Sequence, residues 1–152
     1  MANYKWGNIT VETTGQLQNA AKTILRDGER VVDAGAANVL SLARAYAPHR
    51  FGDLQEGIIA APGFEKAGKT GKIVKDIYMD ESMNAVFQKP YKNRKGHAYY
   101  PASQEYGFNT KSGGYKDGVY FMKRAAVSYS ASFEASVEAA LDAGIERAKH
   151  DL

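Results

Sequence analysis

Two long segments with apolar residues three and four apart stand near the two ends of the chain, and each must bury its stripe against the other or against whatever lies between. The first stripe runs Leu17, Ala21, Ile24, Gly28, Val31, Gly35, Val39, Leu42 and Tyr46, widened by Leu25, Val32, Ala36, Leu40 and Ala43. That spacing predicts an amphipathic helix. Thr13, with Gln16 three residues on, has the spacing of a capping box at its start, and Pro48 disfavours helical backbone at Ala47 and so ends it. At 1.5 Å per residue such a helix is roughly 50 Å long, against about 40 Å for a globule of this size. It therefore overhangs or bends, and Asp27-Gly28 is the place where bending costs least.

The second segment begins near Tyr120 or Phe121 and places Met122, Ala125, Ala126, Tyr129, Phe133, Val137, Ala140, Leu141, Gly144, Ile145 and Ala148 on one side. Its other side is acidic. Glu134, Glu138, Asp142 and Glu146 recur every four residues, a row of like charges that costs a few tenths of a kcal/mol per pair in an isolated helix. The row is either a solvated face or a surface that meets a basic partner.

Between the helices, "GIIAA" (Gly57 to Ala61), "KIVKDIYM" (Lys72 to Met79) and "MNAVF" (Met83 to Phe87) have the β-branched and aromatic content of short strands, the first two expected to pair antiparallel. "PGFEKAGKTG" (Pro62 to Gly71) is a hairpin-like loop. "QKPYKNRKGH" (Gln88 to His97) is a basic loop, and Pro101, Gly107, Gly113, Gly114 and Gly118 keep the stretch after it from forming long elements. The expected fold is α+β: one domain over 1–152, with an N-terminal arm (1–14), a long helix, a small, mostly antiparallel sheet with mobile loops at 88–97 and 107–118, and a second long helix.

Composition narrows the chemistry. Cysteine is absent, which removes disulfides and thiolate metal sites, and His49, His97 and His150 lie too far apart to form a local ligand motif. No basic start precedes an apolar core at the N-terminus, and no window approaches the roughly 18 apolar residues of a membrane span. A soluble protein of a reducing cytoplasm is expected, with neither metal nor cofactor. Net charge is only +3, but it is unevenly spread: residues 81–124 hold 8 Lys and Arg against 3 Asp and Glu, while 125–152 hold 2 against 5.

Catalytic signatures are missing. There is no glycine-flanked serine elbow, and Asp80-Glu81 are adjacent, so on a strand they point to opposite faces. "GFEKAGKT" (Gly63 to Thr70) matches the phosphate-binding pattern G-x-x-x-x-G-K-T, yet the pattern works only at the start of a helix, and "GKIVKDIYM" after it is strand-like. No enzyme is expected. Lys89, Lys92, Arg94 and Lys95, with Tyr91, His97, Tyr99 and Tyr100 nearby, are candidates for contact with DNA or with a neighbouring subunit.

Three stretches in fixed order carry a resemblance. "LARAYAPHRFGDLQEGI" (Leu42 to Ile58) supplies Ala47, Pro48, Gly52, Leu54 and Ile58; "YYPASQEYGF" (Tyr99 to Phe108) supplies Tyr100, Glu105 and Gly107; "YFMKRAA" (Tyr120 to Ala126) supplies Phe121, Met122 and Ala125. Together they resemble the tail-component family of long-tailed bacteriophages, the neck, tail-completion or head-tail joining proteins, along nearly the whole chain. Phe51 stands where threonine is usual, Gly57 where serine is usual, and Phe108 directly follows Gly107 while Thr110 arrives two residues late. The resemblance implies a structural virion protein: a ring of six or twelve identical subunits in the neck or tail, through which DNA passes, touching other neck, connector and tail proteins. Glu134, Glu138, Asp142 and Glu146, or the Lys89 to Lys95 loop, are then candidates for the subunit contact. The alternative is a small DNA-binding accessory protein acting through the basic loop.

Overall fold

The computed structural model describes residues 2–12, 22–67, 72–91 and 95–150. Strands β1 (Ala2–Lys5) and β2 (Asn8–Glu12) form a hairpin, and helix α1 (Lys22–Tyr46) follows. The short helix α2 (Asp53–Gly57) runs directly into β3 (Ile58–Ala60), and then come β4 (Glu65–Ala67) and the long strand β5 (Lys72–Met79). Helix α3 (Asn84–Phe87) leads into a hairpin of β6 (Gln88–Pro90) and β7 (His97–Tyr99), and helix α4 (Tyr100–Tyr106) into a second hairpin of β8 (Gly107–Asn109) and β9 (Tyr115–Asp117). Helix α5 (Phe121–His150) closes the described chain.

The main sheet is antiparallel in the order β1-β2-β5-β3, and β4 pairs with the other end of the β5 edge that β3 occupies. The register sets Ile9 opposite Ile77 and Val11 opposite Lys75 on one side, and Ile58 opposite Met79 and Ala60 opposite Ile77 on the other. Directly opposed residues share a face, so these side chains line one surface of the sheet, while Thr10, Glu12, Asp76 and Tyr78 line the other. Ile9, Val11, Ile58 and Ile77 are fully buried. Thr10 donates a hydrogen bond to Asp76 Oδ1 (3.0 Å) across the polar face.

Helices α1 and α5 lie antiparallel over the apolar surface. Asp27 meets Arg147, Asn38 Nδ2 donates to Tyr129 Oη (3.1 Å), and the Arg124 guanidinium stands 4.3 Å from the centroid of Tyr46. Val32, Ala36, Val39, Ala43 and Ala47 from α1 and its end join Phe121, Met122, Ala125, Ala126, Phe133 and Val137 from α5 in a single core with the sheet. A Cβ on Gly35 would lie 2.7 Å from the Phe133 ring, so the aromatic fills the groove left by the missing side chain and the helices close on each other. Arg147 and Asp27 form an ion pair at the opposite end, with Asp27 largely buried.

The two long helices and the antiparallel pairing of 57–61 with 72–79 stand as expected, and α1 ends one residue before Ala47. It runs unbroken through Asp27-Gly28. The capping box at Thr13 and Gln16, and Leu17 and Ala21 of the stripe, lie outside the described residues. Three expectations need correction. The stretch read as an N-terminal arm is, over 2–12, a hairpin built into the sheet: Ile9 and Val11 alternate with Thr10 and Glu12, and Trp6 (φ 50°) and Gly7 (φ 80°) supply the two positive-φ residues of a tight hairpin turn. "MNAVF" is a helical turn and not a strand. Asp80 accepts from the Ser82 amide (2.9 Å) and starts a 3-10 turn over Glu81–Met83 that continues into α3; a five-residue apolar run cannot by itself distinguish the two. Finally, the loops expected at 88–97 and 107–118 contain paired strands, Gln88 opposite Tyr99 and Gly107 opposite Asp117.

Candidate functional site

The three stretches that carry the resemblance meet in space. Gly107 follows α4 with φ 94°, and a Cβ there would lie 2.4 Å from the Lys116 carbonyl oxygen, so only glycine lets the two ends of the β8–β9 hairpin approach. The hairpin turns the chain back on α4: the Val119 and Tyr120 amides donate to the Gln104 and Glu105 carbonyls (2.8 and 3.2 Å). Tyr120, held at φ 51°, then swings the chain into α5.

At that point Glu105 acts as a cap supplied from another helix. Its carboxylate is 2% exposed, Oε2 accepts from the Met122 amide (2.9 Å) and Oε1 from the Lys123 amide (3.0 Å). The first turn of α5 contains no acidic residue of its own, so Glu105 satisfies two otherwise unpaired donors and sets negative charge at the positive end of the helix dipole. Tyr4 Oη lies beside it and donates to Tyr106 Oη (2.5 Å). Burial first, then that hydrogen bond, then the Glu105 charge hold the Tyr4 hydroxyl far above the ordinary tyrosine range. Burial and the charge of Glu81 raise Tyr99 as well.

The first stretch is fastened in its own way. Ala47 donates to the Ala43 carbonyl (3.0 Å), Gln55 Nε2 donates to the Ala47 carbonyl (3.2 Å), and Arg44 donates through Nε and Nη2 to the Ile58 carbonyl (3.2 and 2.8 Å). Gly52 is needed for its backbone, at φ 86°, and not for space: a Cβ there would meet nothing closer than His49 Cε1 at 4.0 Å. Gly57, by contrast, is a matter of space. A Cβ would come within 2.5 Å of the Phe87 ring, which occupies the volume that a serine at this position would claim.

These fastenings frame an open cleft of about 870 Å³ between the turn after α1, the β6–β7 hairpin and the β8–β9 hairpin. Leu54 and Phe87 form its buried floor, whereas Phe51, 78% exposed, and Val86, 51% exposed, stand on its rim with Tyr91 and Phe108. Arg50 lies over the Phe51 ring (5.1 Å), Lys116 over Phe108 (5.9 Å), and Lys89 lines the wall between. Large apolar side chains held in water beside cations suit an apolar surface with negative charge around it. The wall also carries Ser103, whose hydroxyl donates to the Tyr99 carbonyl (3.3 Å), and Asp53.

Tyr100 and Gly107 line this cleft together with Pro48, Gly52 and Leu54, while Ile58, Phe121, Met122 and Ala125 belong to the core. Of the basic candidates, Lys89 is in the cleft, Lys95 is exposed, and Lys92 and Arg94 lie outside the described residues. Glu134, Glu138, Asp142 and Glu146 are all exposed on the outer side of α5. Sequence reasoning missed the rim: Phe51 was legible only as a departure from threonine, and Arg50, Val86 and Lys116 carried no signal until the hairpins brought them together. Gly63 to Thr70 lacks the helix that a phosphate cradle requires, since Lys72–Met79 is a strand; Gly68 to Gly71 lie outside the described residues.

Among the described residues no group of three or more His, Asp or Glu is placed to hold a metal ion, and no helix is long and apolar enough to cross a membrane. No protein-family profile, curated protein or solved structure matches this chain.

Proposed function

We propose that this chain is a structural virion protein of the head-tail connection of a long-tailed phage, a neck or tail-completion subunit that assembles as a ring around the DNA channel. One observation carries the reading: Glu105 of the second motif binds the backbone of Met122 and Lys123 in the third, so that residues which resemble a family pattern in order also work as one fastening. That fastening supports shape and not bond making. It holds α4 and its hairpin against α5, and with the separate Arg44 and Gln55 bonds of the turn after α1 it frames a rim of exposed aromatic and cationic groups, the kind of surface through which building blocks recognise one another.

The test is electron microscopy and mass photometry of the purified chain, alone and with the connector and tail proteins of a phage that carries it. Closed rings, alone or on the partner's end face, are the expected result. A chain that stays monomeric with every partner overturns the reading, and tight, steeply salt-dependent duplex binding by that monomer would favour a DNA-binding accessory protein acting through Lys89 to Lys95.

A further inference from the structure

We infer that the cleft of one copy receives the outer ridge of α5 from the next copy, an inference that rests on the ring reading above and names its contact. The ridge is one exposed stripe at helical spacing: Val127, Glu134, Glu138, Asp142 and Ile145, the last expected on the apolar side but exposed beside the acids, with Glu146 next to it. Val127 is 69% and Ile145 45% exposed, so apolar groups stand in water at both ends of an acidic centre. Lys149, bonded to Glu146 (2.8 Å), neutralises only one of the four carboxylates.

The cleft is the complement. Among the described residues its walls hold Arg50, Lys89 and Lys116 against one acid, Asp53, and its rim offers Phe51, Val86 and Phe108 to apolar ends. Repeating like charges four residues apart costs α5 stability in the isolated subunit, and cations from a neighbour offset that cost. The two surfaces lie on different elements, so every copy presents one of each. Pairing of this kind is heterologous, and it closes into a ring when the rotation per copy allows.

Three variants of the full chain test this by native mass spectrometry and light scattering: Lys89→Glu with Lys116→Glu, Glu138→Lys with Asp142→Lys, and all four together. All four positions are exposed, and circular dichroism verifies that each variant keeps its fold. Each double reversal sets like charge against like, and the concentration for half-assembly is expected to rise about tenfold or more. The fourfold variant restores opposite charges with the signs exchanged and is expected to regain most of the loss. Rings that ignore both double reversals, or a fourfold variant no better than the doubles, overturn the contact while leaving the ring reading in place. A wild-type chain that assembles neither alone nor with the connector and tail proteins overturns both.

Discussion

The carboxylate of Glu105 accepts the backbone amide of Met122 at 2.9 Å, so a helix of 30 residues is started by a side chain that belongs to another helix. The bond ties the position of α4 and its hairpin to the N-terminus of α5, and through α5 to the core. Anything that loosens Glu105 therefore disturbs the cleft wall as well as the helix.

Replacing Glu105 by alanine is expected to cost about 2–3 kcal/mol of unfolding free energy, since it removes a charge-assisted cap and leaves buried amide donors unpaired. Glutamine retains one carbonyl acceptor but points an amide group at a second donor, so its cost should fall between wild type and alanine. Urea unfolding followed by circular dichroism measures both. A loss within error for alanine would mean that water caps α5 equally well.

Gly57 and Phe87 make a matched pair, and a double-mutant cycle reads the match. Gly57→Ser alone is expected to destabilise by about 1–3 kcal/mol, because its side chain overlaps the Phe87 ring. Phe87→Leu alone opens a cavity and also destabilises. The two together should cost less than the sum of the single changes. Simple additivity would show that the cost of serine at this position does not come from overlap with the Phe87 ring.

Much of the frame was legible because it rests on periodicity. The α1 and α5 stripes follow from spacing, the 72–79 strand from its β-branched and aromatic content, and Pro48 marks the end of α1. What escaped was decided by partners far along the chain. Trp6-Gly7 does not look like a hairpin turn until Ile9 and Val11 find Ile77 and Lys75, and Val86 sits in a short, mostly apolar stretch that Asp80 turns into helix. The cleft was hidden for the same reason, since Phe51, Lys89 and Lys116 are separated by many residues and share a wall only after two hairpins fold. The motif residues were readable as a pattern, but the reason Glu105 stands two residues before a glycine appears only when α5 arrives.

Asp27 and Arg147 fasten the far end of the helix pair. Asp27 is largely buried while the Arg147 side chain is half exposed, so solvent screens part of the attraction. Arg147→Ala is expected to cost about 1 kcal/mol and to speed hydrogen exchange at the C-terminal end of α5 more than at its start. Equal exchange along the whole helix would place the anchor elsewhere.

The raised hydroxyl of Tyr4 gives the protein an alkaline limit. In the unfolded chain a tyrosine releases its proton near pH 10, whereas in the folded protein burial, the Tyr106 hydrogen bond and the Glu105 charge keep it on. The folded state thus binds one more proton than the unfolded state above about pH 10, and by linkage stability falls as pH rises from there. Below that pH the contribution is complete and constant. Tyr4→Phe removes the ionisable group, so its unfolding free energy should decline less steeply between about pH 10 and 11.5 than that of the wild type, although at neutral pH the lost hydrogen bond makes it about 1 kcal/mol less stable. Tyr99, raised by burial and by Glu81, contributes a slope of the same sign that persists in the variant. Parallel curves for wild type and Tyr4→Phe would show that the hydroxyl ionises equally in both states, and the close packing of Tyr4 against Tyr106 and Glu105 would then have no hold on its proton.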